Sequence, residues 1–171
     1  MSAVHNFTTE VSAVMAYPMF GKIETLGPWT AHTQAMDQAL ASNNPGEAIR
    51  AWRQAYSSAL SHPGWLGLLT VATASLRLSA FPGLARDAAA RARETYWIAF
   101  FRARQQHSLN GVLHAAEAFG QLGDHATVEQ CMRVAEGLAS RTGDAEELNR
   151  VRLMGARLSD RALMTERGAP V

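Results

Sequence analysis

Residues 39–60 read ALASNNPGEAIRAWRQAYSSAL, which joins the end of one helix to a turn and the start of the next. Pro45 suits the first helical position, where its missing N–H is not needed, and Glu47 in the first turn complements the helix dipole. Small and large apolar residues then recur at helical spacing, at Ala48, Trp52, Ala55 and Ala59. This stretch therefore predicts a helix over residues 45–61 that packs against the helix before it.

The same pattern occurs at residues 76–97 and 119–140. In each stretch a helix end is followed by a short glycine-containing turn and an amphipathic helix. Glycine, proline and cap residues separate further segments, with Asp124 and Asp144 as N-caps. The segments predicted to be helical are 45–61, 64–80, 82–106, 109–122, 124–141 and 144–163. Since internal repeats of this size indicate stacked helical hairpins, we expect an all-α protein with six to seven helices.

The repeated units resemble those of the tetratricopeptide-like superfamily over residues 29–141. The positions that carry the resemblance are Met36, Ala39, Ala48, Trp52 and Ala55 in the first unit and Ala116, Phe119, Gly123, Asp124, Met132 and Ala135 in the third. The resemblance implies a right-handed array of antiparallel hairpins that binds a protein or peptide in its groove. A compact helical bundle with alanine-rich helices is the other architecture that this pattern allows.

The composition favours helices over sheets. The chain has 31 Ala and 17 Leu against 9 Val and 3 Ile, and its formal net charge is +1. A near-neutral chain lacks the excess of positive charge that is typical of a nucleic-acid binder. Residues 82–106 nevertheless carry five Arg against two acidic residues. We therefore expect no nucleic-acid partner.

The two ends of the chain differ from the helical middle, which we expect to be a single domain over residues 28–163. Residues 1–27 are rich in apolar side chains, so we expect an arm that docks on this chain or on a partner, while residues 164–171 are expected to be a loose tail. No stretch reads as a secretory signal or a membrane span, which leads us to expect a cytoplasmic protein without a membrane partner.

The resemblance also implies which residues face the groove. In a stacked array the first helix of each hairpin lines it, and the corresponding positions carry a mixture of charged and polar side chains. These groove candidates are Thr33, Asp37, Thr70, Arg77, Glu117 and Gln121.

The helix over residues 82–106 has an alanine-rich stripe that we expect to pack, formed by Ala85, Ala88, Ala89, Ala92, Tyr96, Ala99, Phe100 and Ala103. A second candidate surface lies on another face of the same helix. At 100° per residue, Arg86, Arg93, Trp97 and Arg104 share one face with Phe101 beside it. Arg and Trp dominate interface hot spots, so the pattern favours a partner-binding or self-association surface. Trp97 packed beneath another part of the chain, with solvated arginines around it, is the alternative.

The residues typical of catalysis give weaker patterns. His107, His114 and Glu117 recur at helical spacing, as do His125 and Glu129, but no Glu-x-x-His pair of a di-iron bundle occurs. The single cysteine, Cys131, lies within an amphipathic segment, and no phosphate-binding glycine motif is present. We expect a non-catalytic adaptor, assembly factor or chaperone-like subunit without a cofactor.

Two other functions stay open. One is an accessory or catalytic subunit of a helical-bundle enzyme, with or without a metal. The other is a regulatory module that binds a small ligand in an aromatic pocket of Trp52, Tyr56 and Trp65.

Overall fold

The structure, a computed structural model, describes the backbone of residues 27–167 and the side chains of residues 27–164. Every regular element in this part of the chain is helical, which confirms the predicted all-α class. The seven α-helices found there are α1 (Thr30–Ala41), α2 (Pro45–Ser61), α3 (Leu66–Leu76), α4 (Ala85–Gln105), α5 (Leu109–Gln121), α6 (His125–Thr142) and α7 (Ala145–Arg167). A 3₁₀ turn, Arg77–Ala80, follows α3.

The observed bounds of α2 to α7 follow the six predicted segments closely, with two differences, while α1 is the helix expected before residue 45, for which no bounds were predicted. The segment predicted as one helix over residues 64–80 divides into α3 and the 3₁₀ turn. At the other end, α7 continues through Arg167, so the first residues of the predicted loose tail are helical. The predicted arm lies outside the described residues except for Gly27, and so do residues 168–171 of the tail.

Three of the helix connections use one turn geometry. In each, the middle residue has a positive φ: 52° at Asn43, 53° at His107 and 72° at Gly123. The residue that follows caps the next helix through its side chain, and these caps are Asn44, Ser108 and Asp124. Its own backbone N–H donates to a carbonyl five residues back, as Asp124 does to Phe119 at 3.0 Å. The turns are therefore compact, and consecutive helices reverse direction across them.

The core is built from small residues beneath a few large side chains. Alanine lines the inner faces of α2, α4 and α5, while Tyr96, Phe100 and Phe119 are fully buried among them. Where helices approach most closely, glycine replaces alanine: a Cβ at Gly67 would lie 2.6 Å from the ring of Trp29. The alanine content of the sequence thus has a positional reason, since small side chains let the helix backbones come near one another.

Side-chain contacts between helices that are not consecutive give their relative directions. Asn110 and Glu117 of α5 meet Arg150 and Arg157 of α7, so residue numbers rise together and these two helices run parallel. Trp29 meets Gly67, and Asp37 meets Arg77 just after α3, which makes α1 and α3 parallel as well. In the same way, Trp52 contacts Arg91, and the Leu60 carbonyl binds Arg102, between α2 and α4.

Alternate helices therefore associate with each other. Besides the packing of α1 on α2, α3 on α4 and α5 on α6, α3 contacts α5, and α5 contacts α7. The helices α1, α3, α5 and α7 thereby form a side of the molecule on which residues of different helices come together.

Candidate functional site

The contact between α5 and α7 is centred on a buried carboxylate. Glu117 is 3% exposed, and its Oε1 accepts a hydrogen bond of 2.7 Å from the Arg157 guanidinium. Its second oxygen, Oε2, is buried and has no hydrogen-bond partner among the described residues. Arg157 itself is about one third exposed, so α7 covers the acid and leaves part of the base in solvent.

Two opposing effects act on the charge of Glu117. Burial raises the pKa of this carboxyl above its ordinary value, and the positive charges of Arg157 and Arg161 offset only part of that rise. Glu117 consequently loses its proton at a higher pH in the folded protein than in water, in spite of its ion pair with Arg157.

Two turns earlier on both helices, a second contact repeats this register. The Arg150 guanidinium donates to the side-chain oxygen of Asn110. Beside it, the imidazole of His114 stacks on Trp65 at the start of α3, with ring centroids 5.8 Å apart. Burial, together with the charge of Arg150, lowers the pKa of His114 to about 4, so this histidine is neutral at physiological pH.

The corresponding contact between α1 and α3 is an ion pair near the surface. Nε and Nη2 of Arg77 donate to the two carboxylate oxygens of Asp37, at 2.8 and 3.1 Å. This bidentate geometry fixes both side chains and cancels their charges. Two of the groove candidates thus contact each other directly.

We use the name odd-helix face for the surface of α1, α3 with its 3₁₀ turn, α5 and α7 that carries these contacts. The residues that define it are Asp37, Arg77, Asn110, Gln121, Arg150, Arg157 and Arg161, with Glu117 buried beneath the last two. At its α5–α7 end Arg150, Arg157 and Arg161 lie around the one carboxylate of Glu117, and at the other end Asp37 pairs with Arg77.

The remaining groove candidates take different positions. Gln121 is exposed at the end of α5. Thr33 is buried, and its hydroxyl donates to the carbonyl of Thr30 at 2.9 Å, while Thr70 is half-buried and donates to Leu66 at 3.0 Å. Both threonines therefore form hydrogen bonds within their own helical turns, and Glu117 is covered by α7. Three of the six groove candidates are thus not fully exposed on the surface.

A cleft of about 490 Å³ opens where the turn between α5 and α6 meets the second half of α7. Leu122, Val128 and Leu158 supply apolar surface, and Gln121, His125 and Arg161 supply polar groups. Its volume lies within the range of about 300–1,000 Å³ that is common for ligand pockets. The cleft adjoins the α5–α7 end of the odd-helix face, since Gln121 and Arg161 belong to both.

The second candidate surface, on α4, is partly occupied by structural contacts. Arg93 pairs with Asp124 at 3.3 Å, and Trp97 is half-buried with its ring 5.1 Å from that of Phe119. Phe101 stacks on Trp97 and remains 47% exposed, while Arg86 and Arg104 are exposed. The cation–π contact found in the described residues joins Arg91 to Trp52 across α4 and α2, at 5.3 Å, and not an arginine to Trp97.

The proposed aromatic pocket is not assembled. Trp52 and Tyr56 stack with centroids 5.4 Å apart, and the indole N–H of Trp52 donates to the Val71 carbonyl. Trp65 instead packs on His114 and Gly111. The three rings therefore belong to two separate contacts in the described structure, because the turn before α3 directs Trp65 toward α5.

The histidine and cysteine candidates are likewise dispersed. Within the described residues, no three or more His, Cys, Asp or Glu side chains lie close enough to hold a metal ion. His114 and Glu117 are engaged with Trp65 and Arg157, and His107 lies in the turn before α5. Burial, with a smaller effect of Asp124, raises the pKa of Cys131 to about 12, which keeps its thiol protonated at neutral pH.

Sequence reasoning missed the partners that complete the odd-helix face. None of Asn110, Arg150, Arg157 and Arg161 is among the candidate residues that the sequence predicts. The signal was present, because Arg150, Arg157 and Arg161 recur at i, i+7 and i+11 and so share one side of a helix.

Comparisons of the chain with protein-family models, with curated proteins and with solved structures found no match. Among the helices of the described part, none is both long and apolar enough to cross a membrane.

Proposed function

We propose that this chain is a non-catalytic protein-binding subunit, an adaptor, assembly factor or chaperone-like protein, whose odd-helix face binds an acidic peptide segment of a partner protein. The parallel arrangement of α1, α3, α5 and α7 supports the tetratricopeptide-like array implied by the sequence resemblance. In such an array this face would be the peptide-binding groove.

The dimensions of the face suit an extended peptide. Packed helices lie about 8–10 Å apart, so four of them side by side span about 30 Å. That distance corresponds to roughly nine residues of extended chain. A short linear segment could therefore touch several helices at once, as in other recognition modes that use a preformed groove.

The arginines of α7 are the observation that carries the proposal. Arg157 pairs with Glu117 of α5, Arg150 donates to Asn110 of the same helix, and the charge of Arg161 acts on the raised pKa of Glu117. Arginines outnumber carboxylates among the residues that define this end of the face, and guanidinium groups bind carboxylates through directed hydrogen bonds, which favours a ligand with carboxylates. The adjoining cleft adds apolar surface for an anchoring side chain.

The α4 surface supports this role less well. Its central residues, Arg93 and Trp97, already contact Asp124 and Phe119. Their packing accounts for much of the pattern seen in the sequence, and Phe101 is the large apolar side chain left exposed there.

A peptide selection tests the proposal. Peptides selected from a random displayed library against the full chain should be enriched in Asp and Glu around one or two large apolar residues. Arg161→Glu should weaken the best peptide at least roughly tenfold in fluorescence anisotropy, because it reverses a charge on the odd-helix face. Arg104→Glu makes the same charge change on α4 and should leave the affinity within about twofold.

Selected peptides of no consistent charge, or equal losses in Arg161→Glu and Arg104→Glu, would contradict the proposal. Binding should also weaken as salt is raised from 0.1 M to about 0.5 M, because exposed charges are then screened.

A further inference from the structure

We propose that this chain pairs with a second copy of itself through the outer side of α7, with the two α7 helices antiparallel and Arg152 of each copy opposite Asp160 of the other. This surface differs from the odd-helix face, and the inference does not rest on the proposed function. Three observations support it: the exposed apolar side chains of α7, the order of the charges between them and the small residue at their centre.

Helix α7 carries apolar residues on two opposite sides. On the side that packs against α5 and α6, the buried residues are Val151, Met154 and Leu158. On the other side, Leu153, Leu163 and Met164 are 48%, 53% and 71% exposed. They are three of the five large apolar side chains that are exposed in the described part of the chain, and the other two lie on α2 and α4. Exposed apolar surface is therefore concentrated on α7.

These side chains belong to one continuous surface, which we call the outer α7 face. At 100° per residue, its members fall within a sector of about 120° on the helix. All of them are exposed: Asn149, Arg152, Leu153, Ala156, Asp160, Leu163 and Met164. The surface thus combines apolar side chains with one acid and one base, as the partly polar interfaces of reversible complexes do.

The order of the charges makes the outer α7 face complementary to itself. Arg152 and Asp160 lie four residues before and four residues after Ala156, which places them about 6 Å to either side of it along the helix. When a second α7 lies antiparallel with its Ala156 opposite the first, each Arg152 faces an Asp160 of the other copy. A twofold axis, the commonest symmetry of homo-oligomers, repeats each contact in this way.

The charges also exclude the other orientation. In a parallel pair, Arg152 would face Arg152 and Asp160 would face Asp160, and like charges opposed across an interface are unfavourable. The antiparallel pair is therefore the arrangement that the sequence of α7 favours.

The uncharged residues fit the same register. Ala156 at the centre is small, so the two helix axes can approach to the near end of the range of about 8–10 Å that packed helices show. Leu163 comes opposite Asn149 of the other copy, one turn from its Leu153. Leucines of both copies therefore pack together on either side of the centre, over a contact about 21 Å long.

The contact is too small for a permanent dimer. Interfaces that hold stable complexes bury about 1,200–2,000 Å², which is more than two single helices can bury over four turns. We therefore expect a reversible dimer with a dissociation constant of about 10–100 µM. The odd-helix face stays accessible in it, because Arg157 lies about a quarter of a turn around α7 from Ala156, on the side of Glu117.

Exchange of the two charges in the full chain tests the pairing. In sedimentation equilibrium, the weight-average mass of the parent should rise from 18.5 kDa toward twice that value between about 1 and 300 µM. Arg152→Asp sets carboxylates against carboxylates, and Asp160→Arg sets guanidiniums against guanidiniums, so each should weaken self-association at least about tenfold. The double variant restores both pairs in exchanged positions and should recover the parent's dissociation constant to within about threefold.

A mixture of the two single variants is a second measurement on the same principle. In a mixed pair, both carboxylates of the Arg152→Asp chain meet guanidiniums of the Asp160→Arg chain, so the mixture should associate more strongly than either variant alone. Arg53→Asp, exposed on α2, makes the same charge change as Arg152→Asp and should leave self-association within about twofold of the parent.

Disulfide formation checks the register. Ala156→Cys brings two thiols together at the twofold axis, so mild oxidation with diamide should link the two copies. Leu163→Cys separates the two thiols by about 21 Å along the helices and should give little linked product. The parent serves as the blank, because its Cys131 is fully buried.

A parent chain that keeps the mass of one copy at about 300 µM would overturn the inference. A double variant that associates no better than the single variants would also overturn it, and so would equal linking by Leu163→Cys and Ala156→Cys. Either of these results would place self-association on another surface or in another register.

Discussion

Arg157 of α7 holds one oxygen of the Glu117 carboxylate at 2.7 Å, while the other oxygen is buried without a hydrogen bond in the described structure. This contact fixes the register of α7 on α5 and brings the arginines of α7 to the odd-helix face. Glu117 is almost fully buried and Arg157 is not, so substitutions of these two residues should change the stability of the protein by different amounts.

Glu117→Gln is expected to be tolerated near neutral pH. The raised pKa means that the folded state holds the proton of Glu117 more tightly than the unfolded state does, so this residue makes stability fall as pH rises above about 4.5. A glutamine side chain can still accept a hydrogen bond from Arg157, and because it does not ionise it removes this loss of stability at higher pH. In urea unfolding at pH 8, the unfolding free energy of the variant should be higher than that of the parent, or lower by no more than about 1 kcal/mol. Relative to the parent, the variant should become less stable as the pH is lowered toward 4.5.

Glu129→Gln is the matched control, because Glu129 is 75% exposed on α6, and we expect an effect within about 0.5 kcal/mol at either pH. A loss of several kcal/mol in Glu117→Gln at pH 8 would contradict the account of this buried acid.

Arg157→Met should be more harmful than Glu117→Gln. It keeps the aliphatic packing of the side chain but leaves the buried carboxylate without its cation, which we expect to cost about 1–3 kcal/mol of unfolding free energy at pH 8. The loss should be smaller at pH 5, where more of Glu117 is protonated. Equal losses at the two pH values would show that the pair contributes through packing alone.

Arg102→Ala is expected to destabilise the connection between α2 and α3. The Arg102 guanidinium on α4 donates to the carbonyls of Leu60, at 2.7 Å, and of His62, where the end of α2 leaves carbonyls without helical partners. Hydrogen bonds from a charged donor are worth more than neutral ones, so the variant should lose about 2–3 kcal/mol in urea unfolding. Arg104→Ala, two residues later and exposed, should change stability by less than about 0.5 kcal/mol.

Glycine-to-alanine substitutions should separate close helix packing from helix propensity. At Gly67 and Gly111 a Cβ would lie 2.6 Å from Trp29 and from Ala103, respectively, so alanine there should cost about 1–3 kcal/mol. Gly137 on α6 has nothing within 4 Å of its Cβ position, and Gly137→Ala should stabilise the protein by up to about 1 kcal/mol. Thermal melts of the three variants check this, and destabilisation by Gly137→Ala would contradict the packing described.

His114 should make the protein sensitive to acid. Its pKa falls from 6.5 to about 4 in the folded state, so the unfolded chain binds this proton first and stability is lost as pH drops from about 6.5 toward 4. His114→Phe retains a ring against Trp65 and should reduce that loss in urea unfolding between pH 7 and 4.5. An NMR titration of the His114 ring with a midpoint near 6.5 would contradict its burial.

Local sequence signals were enough to predict where α2 to α7 lie. Asn44 and Asp124 cap the helices that follow them, as the sequence pattern indicated for Asp124. The predicted alanine-rich stripe of α4 is buried except at Ala85 and Ala89. These features depend on neighbours within a few residues, so spacing alone identifies them.

The candidate site was less predictable, because its contacts join residues 40 positions apart. Asp37 with Arg77, Asn110 with Arg150 and Glu117 with Arg157 all have this separation. Composition cannot tell whether such an arginine is solvated or bound across helices. Trp65 illustrates the same limit, since the turn before α3 directs it toward His114 and away from Tyr56.

The central claim is that the odd-helix face is the binding surface of this protein, and an NMR footprint tests it most directly. Titration of the selected acidic peptide into the isotope-labelled full chain should shift the amide signals of Asp37, Gln121 and Arg161. Shifts confined to Trp97, Phe101 and Arg104 would place binding on α4 and contradict the account.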